Sequence, residues 1–227
     1  MKRTLKRIAN YATVLFTAGL LTVQPIKAEE RQPVTIDVSA DLLNKNVFRG
    51  VTYSKSPILQ PNLYLRYNNF SANVWSNVGI EDRKLTEVDY TLGYNRQIKN
   101  GINFSLGYTL YTFPNPFGNN TQEVYCRLGL ENLLNPNLTV FADFKQGKGV
   151  YGELASGYEF ERSIGISVIL HYNYGYFRNG NGLSHGTISL SKPFEVKWIV
   201  VSPKLSVAKS LSKNFGNEVY GGLNLAF

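Results

Sequence analysis

"NEVYGGLNLAF", residues 217–227, places apolar or small side chains at every second position up to the last letter: Val219, Gly221, Leu223, Leu225 and Phe227. A period of two marks an extended strand whose two faces meet different surroundings. Chain ends are ordinarily frayed and polar. A strand that keeps its alternation to a closing ring is therefore expected to be held along its whole length.

The same period runs backward through the chain. "VTIDVSADLL" (34–43) sets Val34, Ile36, Val38, Ala40 and Leu42 against Thr35, Asp37, Ser39 and Asp41. "TEVDYTLGY" (86–94) and "INFSLGYTLY" (102–111) alternate likewise, and Ile164, Ile166, Val168, Leu170, Tyr172, Tyr174 and Tyr176 share one face. The pattern predicts twelve strands, at 34–43, 58–68, 70–80, 84–97, 102–112, 121–131, 138–146, 149–161, 164–177, 184–191, 197–208 and 218–227. "YNNF" (67–70), "IKNG" (98–101), "LNPN" (134–137) and "RNGNG" (178–182) supply turn chemistry between them. Pro61 and Pro203 fall inside strands, where each forfeits a ladder hydrogen bond, so bulges or misplaced boundaries are expected there, and the facing of 197–208 stays ambiguous.

Residues 1–28 read as a cleaved export signal, leaving 29–227 as a single barrel domain. Lys2, Arg3, Lys6 and Arg7 precede the apolar run "YATVLFTAGLLTV", and Ala28 offers a small residue at the cut. That segment holds five basic residues (with Lys27) and no acidic ones, so the formal charge of +8 falls to +3 without it. A basic face for nucleic acid is not expected. One cysteine, Cys126, cannot form an internal disulfide, and two histidines give no metal-ligand spacing. No cofactor or metal is expected.

Two architectures alternate this way: a secreted sandwich and a closed antiparallel barrel with its apolar face in lipid. Segments of the length predicted here match the ~9–11 residues a membrane strand needs rather than the ~5–6 of soluble strands. Rings crowd strand ends (Tyr172, Tyr174, Tyr176; Tyr158, Phe160), as interfacial girdles do. The reading is an all-β transmembrane barrel of twelve strands without a plug domain, in a bacterial outer membrane. Phe227, with Leu223 and Leu225, then matches the C-terminal signature by which the barrel-assembly machinery recognises such chains.

"DLLNKNVFRGVTYSKSPILQPNLY" (41–64), "ANVWSNV" (72–78), "EVDYTLGY" (87–94), "TLYTFPN" (109–115) and "TQEVYCRLGL" (121–130) resemble the TorF-like porins, the Gcw_chp domain family. "FRGV" before a Ser/Pro stretch and "VW" before an acidic-Tyr strand are the most specific parts. The resemblance covers about residues 35–160 and implies an outer-membrane location and a channel.

Twelve strands enclose a lumen between the filled eight-stranded and the open sixteen-stranded cases. The inner wall is expected to carry Asp37, Asp41, Glu87, Asp89, Glu123, Glu131, Asp143, Glu153 and Glu159 against Arg66, Arg127 and Lys145, with His171 beside them. That excess of acid predicts a mildly cation-preferring pore for small solutes, unless Arg127 pairs with Glu123 or Asp143 in a network that only stiffens the wall. Arg49, Lys55, Arg83, Lys84, Lys148, Arg178, Lys209 and Lys213 are expected outside, as solvated loop charge or against lipopolysaccharide phosphates. Two other classes stay open. One is a structural or adhesive barrel without flux. The other is a lipid hydrolase using His171 (near Ser167) or His185 (beside Ser184) as its base, although neither lies in a nucleophile motif. No enzyme activity is expected.

Overall fold

The computed structural model describes residues 33–114, 118–160, 164–178 and 180–227. The expected export signal lies outside them. Fifteen strands follow in order: β1 (Thr35–Leu43), β2 (Asn46–Phe48), β3 (Val51–Ser54), β4 (Ile58–Tyr67), β5 (Phe70–Gly79), β6 (Leu85–Gln97), β7 (Ile102–Thr112), β8 (Thr121–Leu130), β9 (Asn137–Asp143), β10 (Gly149–Phe160), β11 (Ile164–Tyr174), β12 (Gly182–Ser191), β13 (Phe194–Val196), β14 (Ile199–Ser210) and β15 (Glu218–Ala226). Twelve of them, all but β2, β3 and β13, form the wall, each antiparallel to its neighbour in sequence.

The last strand closes the ring by pairing with the first, through Ala40↔Leu225 and Leu42↔Leu223. The Phe227 N–H extends that seam, donating to the Val38 carbonyl at 3.0 Å. Its ring lies 5.7 Å from that of Trp198, so two exposed aromatics mark this end of the wall. A closed ring leaves no unpaired sheet edge, the condition for strands to cross hydrocarbon.

The distribution of side chains is that of a soluble protein turned inside out. Among the described residues, seven apolar side chains are buried against twenty-four polar or charged ones. Ile36, Phe70 and Leu92 each leave more than 60% of their surface exposed, while Ser105, Glu123 and Thr139 are 1% exposed. Alternation along each strand is the cause: one parity points out, the other into the tube. Apolar cover on this scale belongs against acyl chains. Cys126 shares it, exposed between Leu106 and Val140 on the neighbouring strands. Leu92→Arg, near the middle of β6, is expected to cost about 2–4 kcal/mol in a bilayer, read as a lowered urea midpoint of vesicle-embedded protein.

The prolines do not bend the wall. Pairing of β4 with β5 keeps one register on either side of Pro61, from Leu59↔Val78 to Asn62↔Trp75. Pro203 pairs opposite Leu223 without a shift, and the ladder from β14 to β12 ends at Lys204. The two bulges of the wall, among the described residues, lie elsewhere. One, between β5 and β6, inserts Thr86, whose hydroxyl bonds Asn77. The other, between β11 and β12, turns both Ser184 and His185 inward, each fully buried. A bulge re-aims side chains in this way.

Two strands end earlier than their periodicity suggests. β9 stops at Asp143 because that carboxylate caps the next turn: Oδ1 accepts the backbone N–H of Lys145, Gln146 and Gly147 at 2.9, 3.0 and 3.0 Å. Its Oδ2 accepts the Thr121 hydroxyl. β11 stops at Tyr174 because Gly175 adopts a left-handed φ of 69°. Tyr172 and Tyr174 remain outside as expected, whereas Tyr176 turns inward against Tyr151.

Connections at one end are short, two residues between β4 and β5 and four between β6 and β7. The opposite end carries the segment between β1 and β4, and that segment does not extend away from the barrel. It folds into it.

Candidate functional site

Between β1 and β4 the chain forms a small hairpin, β2 against β3, closed by Phe48↔Val51. Its tip is Arg49–Gly50, with φ of 49° and 75°. Two consecutive left-handed residues are the requirement of a tight hairpin turn that follows strand twist. Glycine is needed at position 50 for a second reason: a Cβ there would lie 2.3 Å from the His185 ring. The hairpin tip is thus seated against the inner wall.

The Arg49 guanidinium meets Glu123 through two hydrogen bonds, 2.8 Å to Oε2 and 3.1 Å to Oε1. Four rings surround it: Phe141, Phe48, Tyr176 and Tyr151, with centroids 4.0, 4.7, 4.7 and 4.9 Å away. Tyr111 donates its hydroxyl to Glu123 Oε1 at 3.0 Å, and Tyr151 donates to the Arg49 carbonyl at 3.3 Å. Planar forks, a carboxylate and ring faces are what a guanidinium uses best. Burial alone would lower the Arg49 pKa, but Glu123 together with Tyr176 and Tyr111 outweighs it and the value lies well above the ordinary one.

The root of the hairpin is fastened too. Asn44 N–H donates to the Gly221 carbonyl at 3.0 Å, Gly221 N–H returns a bond to Asn44 Oδ1, and Lys45 pairs with Glu218. Around the tip the inner wall is closely packed. Tyr151, Asn173, Ser184 and His185 have no accessible surface, and Phe215 closes on the His185 ring at 6.0 Å.

Beside the tip stands a second cluster. His171 Nδ1 lies 3.5 Å from Glu153 Oε1, its Nε2 is 3.1 Å from the Thr187 hydroxyl, and its ring stacks on His185 at 4.0 Å. Ser184, the serine expected beside His185, donates to the His171 backbone carbonyl.

Farther along the tube the inner face is a polar weave. Asp37 pairs with Arg66; Asp41 accepts from Asn224 at 2.9 Å; Gln60 meets Asn77; Thr91 meets Thr109; Ser189 meets Ser206. Arg127 donates through Nε to Thr139 at 2.8 Å. It joins neither Glu123, which is taken by Arg49, nor Asp143, which is spent on its turn. Glu87 and Asp89 face inward on β6, and one Asp89 oxygen is buried without a donor among the described residues.

Strand parity turns Asp37, Asp41, Arg66, Glu87, Asp89, Glu123, Arg127, Asp143, Glu153, Glu159 and His171 toward the inside of the ring. Two assignments are corrected. Lys145 lies exposed in the turn after β9, because Asp143 ends that strand. Glu131 lies exposed in the turn after β8, bound by Gln97 at 2.7 Å. Arg49, expected among the outer loop charges, is the most enclosed cation of the hairpin. Lys204, unassigned because the facing of its strand was ambiguous, shares the inward parity of Ser202 and Ser206. The signals for Arg49 were present: a tight-turn dipeptide, Arg-Gly, flanked by Phe48 and Val51 rather than by polar loop residues.

Residues 27–182 match the family described as "Bacterial protein of unknown function (Gcw_chp)". No curated protein matches significantly. Among solved structures, the outer membrane phospholipase A from Escherichia coli aligns with 88% of this chain and 94% of its own at a TM-score of 0.53 and 14% identity. The outer membrane phospholipase of Salmonella typhi, a dimer with bound calcium, aligns at 0.49 and 15%, covering 90% and 94%. OccAB3 of Acinetobacter baumannii aligns at 0.41 and 8%, covering 86% and 64%. At these identities the first likeness speaks for the barrel fold alone.

Proposed function

The chain belongs to the Gcw_chp family, and from the charged interior of this member we propose that it is an outer-membrane channel for small solutes, in the manner of TorF-like porins, with its mouth held shut by the β2–β3 hairpin. The observation that carries the reading is the inner wall. It runs polar along the tube, and its charges are Asp37, Asp41, Glu87, Asp89, Glu123, Asp143, Glu153 and Glu159 against Arg66, Arg127 and Lys204, with Arg49 added by the hairpin. A barrel built only to sit in lipid needs no such excess of acid inside it. Focused in a narrow low-dielectric tube, the excess favours cations. The short connections then face the periplasm and the hairpin end faces outward. Phe227, beside Trp198, serves recognition by the assembly machinery. The basic loop residues, Arg49 apart, meet solvent or lipopolysaccharide.

The hydrolase reading is weaker on geometry. A lipid-cleaving hydroxyl–histidine pair has to open toward acyl chains, whereas His171 and Thr187 meet inside the tube. The test is electrical. Wild-type protein and a variant with residues 46–54 replaced by a short Gly-Ser link are compared in planar bilayers. Wild type is expected to open rarely, and the variant to conduct steadily with reversal potentials favouring cations. A variant as silent as wild type would make this a structural barrel, and an anion preference would remove the charge argument.

A further inference from the structure

The shape of the Arg49 pocket has a meaning separate from closure. Glu123, Phe141 and Tyr151 stand on β8, β9 and β10, three adjacent strands of a closed wall. The group they hold is supplied by a loop hairpin rooted at the far side of the tube. The wall is the rigid part and the guanidinium is the removable one.

We propose that Glu123 and the rings of Phe141, Tyr151 and Tyr176 form a binding site for a guanidinium-bearing solute, and that Arg49 is its resident occupant. The proposal rests on the channel reading for its biological sense, though not for its chemistry. A carboxylate that accepts both forks of a guanidinium, between ring faces 4.0–4.9 Å from its centre, is selective for that planar cation. A compact ammonium cannot make the paired hydrogen bonds.

A second feature points the same way. Asp89 is nine-tenths buried on the same inner face, opposite Tyr111, with one oxygen lacking any donor among the described residues. Tyr111 pairs with Asp89 across the ladder and donates to Glu123, so a second carboxyl group stands beside the one that Arg49 occupies. The free Asp89 oxygen is left for a donor that the hairpin does not supply. A solute entering the site competes with a tethered side chain whose effective concentration is of the millimolar order typical of short linkers, so millimolar solute is needed to displace it.

The test uses the full chain in detergent and in bilayers, with agmatine and methylguanidinium as probes and tetramethylammonium and sodium as controls. Arg49→Ala is expected to gain thermal stability, by several degrees, from millimolar methylguanidinium and to respond at least tenfold less to either control. Arg49→Ala/Glu123→Ala is expected to lose the response. In wild type, agmatine is expected to make the bond after Arg49 cleavable by trypsin, a readout that needs no variant to fold. Equal responses to all four cations, or a response that survives removal of Glu123, would overturn the site, as would an Arg49 bond that stays resistant at every agmatine concentration. Binding is read here without current, so silent bilayers with selective binding would sink the channel and keep the site. Conducting bilayers without selective binding would do the reverse.

Discussion

Glu123→Ala frees the hairpin from the wall, and trypsin then cuts the folded barrel after Arg49. In the intact protein this bond is shielded, because Arg49 is 9% exposed and its backbone carbonyl is held by Tyr151. The variant leaves a guanidinium in a buried place with no counter-charge, and breaking such a pair costs about 3–5 kcal/mol. The twelve-stranded wall does not depend on that pair for its ladders, whereas the hairpin has only β2 and β3 of its own. The cheapest response is for the tip to leave. The docked state is expected to lose two to three orders of magnitude in population, read by mass spectrometry of the trypsin fragment and by a rise in open probability. Glu123→Asp, which keeps the charge on a shorter stem, is expected to fall between. If Glu123→Ala stayed uncleaved at Arg49 while migrating as a folded barrel, the ion pair would not be what holds the hairpin.

Gly222→Val is expected to leave no folded barrel at all. Gly222 sits in β15 at the seam with β1, opposite Leu43. A Cβ there would come within 1.9 Å of the Leu42 carbonyl oxygen, a backbone atom that no side-chain rotation can move. The two strands would have to part, and each orphaned backbone group in hydrocarbon costs several kcal/mol. The measurement is the fraction of refolded protein that changes gel mobility on boiling. It should vanish for Gly222→Val and stay at the wild-type level for Gly152→Ala, where the nearest atom lies at 3.7 Å. A Gly222→Val protein with normal heat-dependent mobility would show that the seam tolerates separation.

The wall was legible from period alone because every spanning strand is long and has two unlike faces. All twelve segments appear, most within a residue or two of their expected ends. Where the ends moved, one atom explains it: the Asp143 carboxylate gathering turn amides, or the left-handed Gly175. The bulges escaped because alternation cannot register one inserted residue, and Thr86 and Ser184 look like ordinary members of their runs. At the prolines the register holds, and of the two expectations it is the boundary that moved, since β14 runs from Ile199 to Ser210 rather than over 197–208.

The hairpin was the larger omission. Its strands are three and four residues long, too short for a period to declare itself. Its destination is fixed by contacts from Arg49 to Glu123 and from Gly50 to His185, separated by 74 and 135 positions along the chain. Nothing local announces partners that distant. Glu123, Glu153 and His171 share one parity in the sequence and are buried in the fold, but only the folded tube reveals that the first of them is already answered by a loop.

In the ring, β1 and β15 lie across from β8. The hairpin leaves beside the first pair, where Asn44 and Lys45 anchor it to β15, and ends on Glu123 of β8. It is a spoke across the tube. A cylinder of strands can flatten toward an oval, and a spoke fixed at both rims sets the length of one axis. Any force that widens the ring along that axis bears on the junction of Arg49 with Glu123 at one rim and on the pairing of Lys45 with Glu218 at the other.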